Sequence, residues 1–166
     1  MALTKVIGSG LGAIPAISGA SLTGLKAGTA AFATRIQTAS WFSVAADYII
    51  PFNDVSTGDS FDTDGVFNTS TYKFTAPAAG VYLFWYAMYT AQDDTGNGFG
   101  FKKNSSDLDL QQDAGNYLTY AQNADDKTLS FTCVIPLASG DTMAVMAATA
   151  SDYYAGHSQW GGCRLS

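Results

Sequence analysis

The chain has no glutamate: all 14 acidic residues among its 166 are aspartates, set against 8 lysines and arginines for a net charge of −6. Aspartate belongs to turns and loops whereas glutamate favours helices, so the acids alone point to an all-β chain with acidic loops. Basic residues are scattered from Lys5 to Arg164, with no patch that could neutralise several phosphates, which argues against nucleic-acid binding. Charged residues of either sign make up 13% of the chain, where an ordinary soluble domain carries about 25%. The surface is thus left to Ser, Thr, Asn, Gln and Gly, or is hidden between subunits.

Other scarcities exclude chemistry. The one histidine, His157, stands beside Ser158, and adjacent residues of a strand point to opposite faces, so the two cannot pair as base and nucleophile. No catalytic residue is expected, and the chain does not read as an enzyme. Two cysteines, Cys133 and Cys163, are too few for a secreted disulfide scaffold and match no metal motif. Cys133 falls in the alternating series Leu129, Phe131, Cys133, Ile135, Leu137, as a buried, inert core residue would. No apolar run reaches the ~18 residues of a membrane span. Lys5 followed by Val6 to Ala20 imitates a signal sequence, but Gly8, Gly10, Gly12, Pro15 and Gly19 break it where such a peptide would be leucine-rich.

What is present is apolar and aromatic: 47% of residues are hydrophobic and 13% aromatic, enough to build one domain with a large core. The chain is organised around Phe67 to Met88. Tyr72 and Phe74 precede the breaker cluster from Ala76 to Gly80, and then Val81, Leu83, Trp85 and Ala87 alternate with Tyr82, Phe84, Tyr86 and Met88. Aromatic and β-branched residues bounded by Pro and Gly predict a strand. Both of its parities are apolar, so each face needs a cover, either a second layer or a neighbouring subunit. Further strands are expected at Ala31–Gln37, Tyr48–Phe52, Phe99–Asn104, Tyr117–Tyr120, Leu129–Leu137, Thr142–Ala147 and Ser158–Leu165, with an Asp- and Gly-rich surface loop from Val55 to Val66. About ten short strands with turn punctuation predict an all-β sandwich or jelly roll.

Residues 1–29 are different, a leader of Gly, Ala, Ser, Leu and Ile. Its glycines keep no collagen period and would break a coiled coil. It reads as an extended arm whose apolar residues, among them Val6, Ile7, Leu11 and Ile14, lie along another protein or between subunits, or else as a flexible tail. Gly8-Ser9-Gly10-Leu11-Gly12 imitates a phosphate-cradling loop, but the spacing is wrong and neither a preceding strand nor a following Lys-Ser/Thr pair is present.

Residues in the rest of the chain form an ordered set. They begin with Ala31-Phe32 and Ile36, then Ile50-Pro51-Phe52-Asn53-Asp54-Val55. Phe67, Lys73-Phe74-Thr75, Pro77, Gly80-Val81-Tyr82 and Phe84 follow, and Leu137 with Gly140-Asp141, then His157-Ser158, Trp160, Gly162 and Leu165 complete it. From about Ala30 to Leu165 the chain resembles the globular-head family named after complement component C1q, which shares its jelly roll with tumour necrosis factor. The chain departs from the family pattern at Tyr72, where Gly is usual, at Trp160, where Phe is usual, and in the longer stretch Ser56 to Val66. The resemblance implies a ten-stranded jelly roll that assembles as a homotrimer and acts as a binding head. Phe32, Phe52, Phe74, Gly80, Tyr82, Phe84, Gly140, Trp160 and Gly162 would carry the fold and the trimer.

Beyond the fold, the candidate site residues are few. Loop carboxylates suit a hard cation, and some relatives hold calcium near the trimer apex. Asp93, Asp94 and Asp125 are the candidate ligands, although no loop has EF-hand spacing. Tyr117, Tyr153 and Tyr154 are candidate contacts for a carbohydrate or a protein, with Tyr153-Tyr154 expected to be exposed in the polar loop from Ser151 to Gly156. The sequons at Asn68 and Asn104 read as coincidental. A small-residue arm followed by a jelly-roll head looks like a bacteriophage virion protein, either a capsid decoration protein or a fibre head. Its arm would dock on other virion proteins, and its head would meet a host surface glycan or protein. The alternative is a secreted ligand or lectin-like module.

Overall fold

The computed structural model describes residues 30–90, 98–104, 117–122 (as backbone) and 128–166. The expected arm, Asp93, Asp94, Asp125 and the turns around them lie outside these residues.

Two five-stranded antiparallel sheets face each other. The first is made of β1 (Ala31–Arg35), β3 (Phe61–Asp62), β6 (Gly80–Tyr89), β9 (Thr128–Leu137) and β12 (Gln159–Arg164), in the order β3-β1-β12-β6-β9. The second comprises β4 (Phe67–Asn68), β5 (Lys73–Thr75), β7 (Gly98–Lys103), β8 (Tyr117–Gln122) and β10 (Thr142–Ala147), in the order β4-β5-β10-β7-β8. Apart from the pairs β4–β5 and β7–β8, strands that are neighbours in a sheet are distant in sequence, so the chain crosses repeatedly between the two sheets, the layout of a jelly roll. A two-stranded ribbon of β2 (Trp41–Val44) and β11 (Ser151–Tyr154) is added at one end.

Period-2 alternation decides what enters the core. In β6, Tyr82, Phe84, Tyr86 and Met88 are buried and their neighbours are half-buried. Facing them in β9 are Ile135, Cys133, Phe131 and Leu129, so the inward series expected around Cys133 is the one observed. Phe32 sits at the centre, its ring 5.3 Å from both Phe67 and Phe74 and 4.7 Å edge-on from Trp160. Trp160 is fully buried, where the larger indole reaches Phe67 and Phe101 across the layers. Its ring N–H has no acceptor among the described residues, a polar cost that phenylalanine would not carry.

Two expectations need correction. Tyr48–Phe52 is extended but does not form a full strand: it makes a bridge at Ile49 to Met146 and bonds from Ile50 N to Val145 O and from Ala147 N to Tyr48 O. Pro51 has no N–H to continue the ladder. The stretch Ser151–Gly156, read from its polar residues as a loop, is strand β11 running into a short 3-10 turn, Ala155–His157. Ser151 and Tyr153 alternate inward there, while Asp152 and Tyr154 point away.

Tyr72, one of the departures noted from the resembled pattern, has φ +61°, the left-handed conformation that closes the β4–β5 turn. Asn68 supports this turn, its side-chain oxygen accepting from the Ser70 and Thr71 N–H groups. Because that backbone is strained for a side chain with a Cβ, Tyr72→Gly is expected to leave stability unchanged or raise it by about 1 kcal/mol, whereas β-branched Tyr72→Val lowers it by about 1–2 kcal/mol. Urea unfolding of the three proteins measures the difference.

Candidate functional site

The outward side of the first sheet carries an apolar strip. The cross-strand register brings together Val81 and Pro136, Leu83 and Val134, and Trp85 and Thr132 from β6 and β9, with Cys163 and Gly161 of β12 beside Leu83 and Trp85. Val134 is 58% exposed, and on the edge strand Phe61 is 45% exposed. This is the second apolar parity of β6, and none of the described residues forms a layer over it. Gly161 and Gly162 make β6 possible. A Cβ on Gly162 would stand 2.4 Å from the Phe84 ring in the core, and one on Gly161 would stand 2.6 Å from the Phe32 carbonyl and 3.0 Å from the Trp85 ring outside. One ring therefore lies over each glycine, on opposite faces of β12.

A second surface stands on the ribbon. Trp41 is 50% exposed, with Tyr154 edge-on at 5.4 Å and Tyr89 tilted at 5.8 Å. His157 is 4.8 Å from Tyr154 and 5.3 Å from Tyr89. Of the expected contact residues, Tyr154 therefore belongs to a partly exposed cluster, but Tyr153 does not. Tyr153 is fully buried, stacked on Phe42 and edge-on to Phe99, and burial first, then the neighbouring Tyr48, pushes its phenol above the ordinary range. Alternation sends only one of two consecutive tyrosines outward. Tyr117 opens β8, opposite Lys102. Trp41 escaped the sequence reading because the pairing of β2 with β11 joins residues more than a hundred positions apart, and Tyr89 because it meets that ribbon only from the end of β6.

His157 and Ser158 do not pair as base and nucleophile. His157 is exposed at the end of the 3-10 turn, and buried Ser158 donates its hydroxyl to Tyr154 O and accepts from Tyr89 N. Burial pushes the Cys133 thiol up to about 11, against a smaller opposing contribution from the Phe84 backbone, which makes it a poor nucleophile. No three His, Cys, Asp or Glu side chains cluster as metal ligands among the described residues. Both sequon asparagines are engaged in turns, Asn104 through a donor bond to Asp141 and an acceptor bond from Thr142 N.

Two aspartates hold loops rather than ligands. Burial alone would raise the pKa of Asp54, but bonds from the Thr57 hydroxyl, Ser56 N, Arg35 and Thr57 N hold it well below the carboxylate range. Asp141 is drawn down to about 2, first by Lys103 at 2.8 Å, then by Asn104 and Ala138 N. It follows the tight turn at Gly140, whose φ of +89° suits glycine.

The sign of their pH linkage follows from these depressed values. Both aspartates contribute stability above the ordinary pKa of 3.8 that is lost as pH falls through the lower folded values. Unfolding free energy should therefore fall below about pH 4, and Asp54→Asn should be less stable at neutral pH yet flatter in acid. Thermal melts across that range check both. In addition, Gly161→Ala is expected to displace the Trp85 indole and cost about 1–3 kcal/mol, as overpacking does. A changed Trp85 emission in that variant would register the displacement.

The model of the C1q domain family matches residues 31–161. Among solved structures, the chain is similar to the Eiger TNF of S. frugiperda, at 15% identity over 83% of this chain and 93% of that one, with a TM-score of 0.59. It is also similar to the globular domain of the zebrafish complement 1qA protein, at 19% identity over 82% and 98% of the two chains, with a TM-score of 0.56. At such identities these structures share their fold with the chain. No curated protein sequence matches it. No helix among the described residues is long and apolar enough to cross a membrane.

Proposed function

The chain belongs to the C1q domain family, and from that membership we propose that it is a non-enzymatic binding head that works as a homotrimer. The observation that carries this reading is the apolar strip of Val81, Leu83, Trp85, Val134 and Pro136 on the first sheet, over which the described residues place no layer. A strand as apolar as β6 on both parities suits a sheet whose outer side meets other copies, and a threefold arrangement gives each copy the same cover. The low charge content agrees, since charged residues are depleted at the centre of interfaces. A bound calcium ion held by Asp93, Asp94 and Asp125 remains part of this proposal.

The leader extends the reading. Its sequence of small residues with scattered Val, Ile and Leu suits docking along another protein. We place the head on a bacteriophage particle, as a capsid decoration protein or a fibre head, with residues 1–29 attached to the virion. A secreted ligand or lectin-like module is the alternative. Mass spectrometry of purified particles separates the cases: many copies per particle fit decoration, few copies fit a fibre, and absence from particles favours secretion.

Assembly has its own test. Light scattering should give three times the chain mass for the full-length protein and for a version beginning at Ala30, unless chelation of calcium dissociates it. Val134→Asp should run as a folded monomer, because an exposed site in the single chain tolerates the change within about 0.5 kcal/mol while an apolar interface does not. A wild-type monomer, or a trimer unaffected by Val134→Asp, would count against this interface.

A further inference from the structure

The Trp41 cluster serves neither the core nor the apolar strip. We propose that it is a platform for a pyranose residue of an exposed glycan. The inference rests on the reading of the chain as a binding head and assigns that head a ligand class and a place to bind it.

The ribbon register carries the argument. Trp41 pairs with Tyr154, and Ser43 pairs with Asp152, on the same side of the two strands. An aromatic pair thus stands directly beside a hydroxyl–carboxylate pair. This is the chemistry a pyranose needs: its C–H face packs on an indole while its hydroxyls bond to oxygen acceptors in the same plane. An ionised carboxylate has about four lone-pair positions and can accept a sugar hydroxyl alongside another contact. Tyr89, Tyr154 and His157 brace one another and the indole, so binding freezes few rotors.

Size and shape reject the other occupants. Half of a tryptophan offers on the order of 100 Å², whereas a stable protein interface needs about 800 Å² from each partner. Ser43 and Asp152 end the apolar patch after two residues. A quaternary ammonium requires rings that enclose it. These rings instead touch one another at 4.8 to 6.3 Å and present an outer face, not a cage.

The test uses the full-length assembled protein labelled with nitrogen-15 and the methyl glycosides of galactose, glucose, mannose and N-acetylglucosamine. Trp41, Trp85 and Trp160 give the three indole N–H signals, and Trp41→Phe assigns the first. At least one glycoside is expected to shift the Trp41 signal with millimolar affinity, the strength that roughly a dozen heavy atoms provide. Trp41→Ala should weaken that binding at least tenfold. Asp152→Asn, which keeps the ribbon's shape, should weaken it several-fold with the Trp41 signal in its usual place. The proposal is overturned if no glycoside moves the Trp41 signal, if binding survives Trp41→Ala, or if acrylamide cannot quench Trp41 in the assembly. A negative result from a protein that scatters as a trimer removes only the sugar site, whereas a monomeric mass removes the head reading beneath it.

Discussion

Everything in this fold depends on how closely β12 lets aromatic rings approach it. A sandwich core is about 10 Å thick, and here its centre is filled by rings, with Ile50, Leu129, Leu137 and Val145 among the aliphatic residues of the same cluster. Phe32, Phe74, Phe84 and Trp160 meet at centroid distances between 4.7 and 6.4 Å, in stacked, tilted and edge-on arrangements. Rings are flat and stiff, and they fill such a layer only if the strand beneath gives way. Gly162 gives way on the inside for Phe84, and Gly161 on the outside for Trp85. Two consecutive glycines would weaken an isolated strand, but between β1 and β6 the ladder holds β12 on both sides.

The same geometry couples the core to the outer surface. Since β6 places Phe84 inward and Trp85 outward over adjacent glycines, a shift of one residue in its register against β12 would move one of the two rings from glycine onto Trp160 or Cys163 and exchange the two faces of β6. Register is strongly specified wherever a slip exchanges buried and exposed sets, and here both sets are large. The outer strip of Leu83, Trp85 and Val134 is therefore positioned as firmly as the core. A rigid apolar face loses little order on meeting a partner, which suits assembly of identical copies.

Much of this was legible from residue order because alternation is a local signal. The inward series of β9, the two apolar parities of β6 and the turn at Gly140 need only neighbours within a few positions. The resemblance to C1q heads rested on similar local pieces, and it anticipated the ten-stranded jelly roll. Tyr72 departs from the resembled pattern in residue type, yet its backbone is in the left-handed region that glycine adopts most easily. What could not be read was pairing at a distance. Trp41–Val44 has no marked alternation of its own, and Ser151–Tyr154 is rich in polar residues. Each is a strand because the other is there, held further by Thr90 bridging to Tyr153.

That distant pairing also determines which tyrosine can meet a ligand. Consecutive aromatics in a polar stretch invite the idea that both are displayed, yet a ribbon seated on a sandwich has an inside. Tyr153 goes there, against Phe42 and Phe99, and fastens the ribbon to the second sheet. With the ribbon fixed, Tyr154 has little choice of direction and meets Trp41 and His157 on the outer side. The buried tyrosine is thus the reason the exposed cluster is preorganised. A surface built this way owes its precision to residues that no ligand touches, and a search restricted to exposed side chains would find Trp41 without finding what holds it.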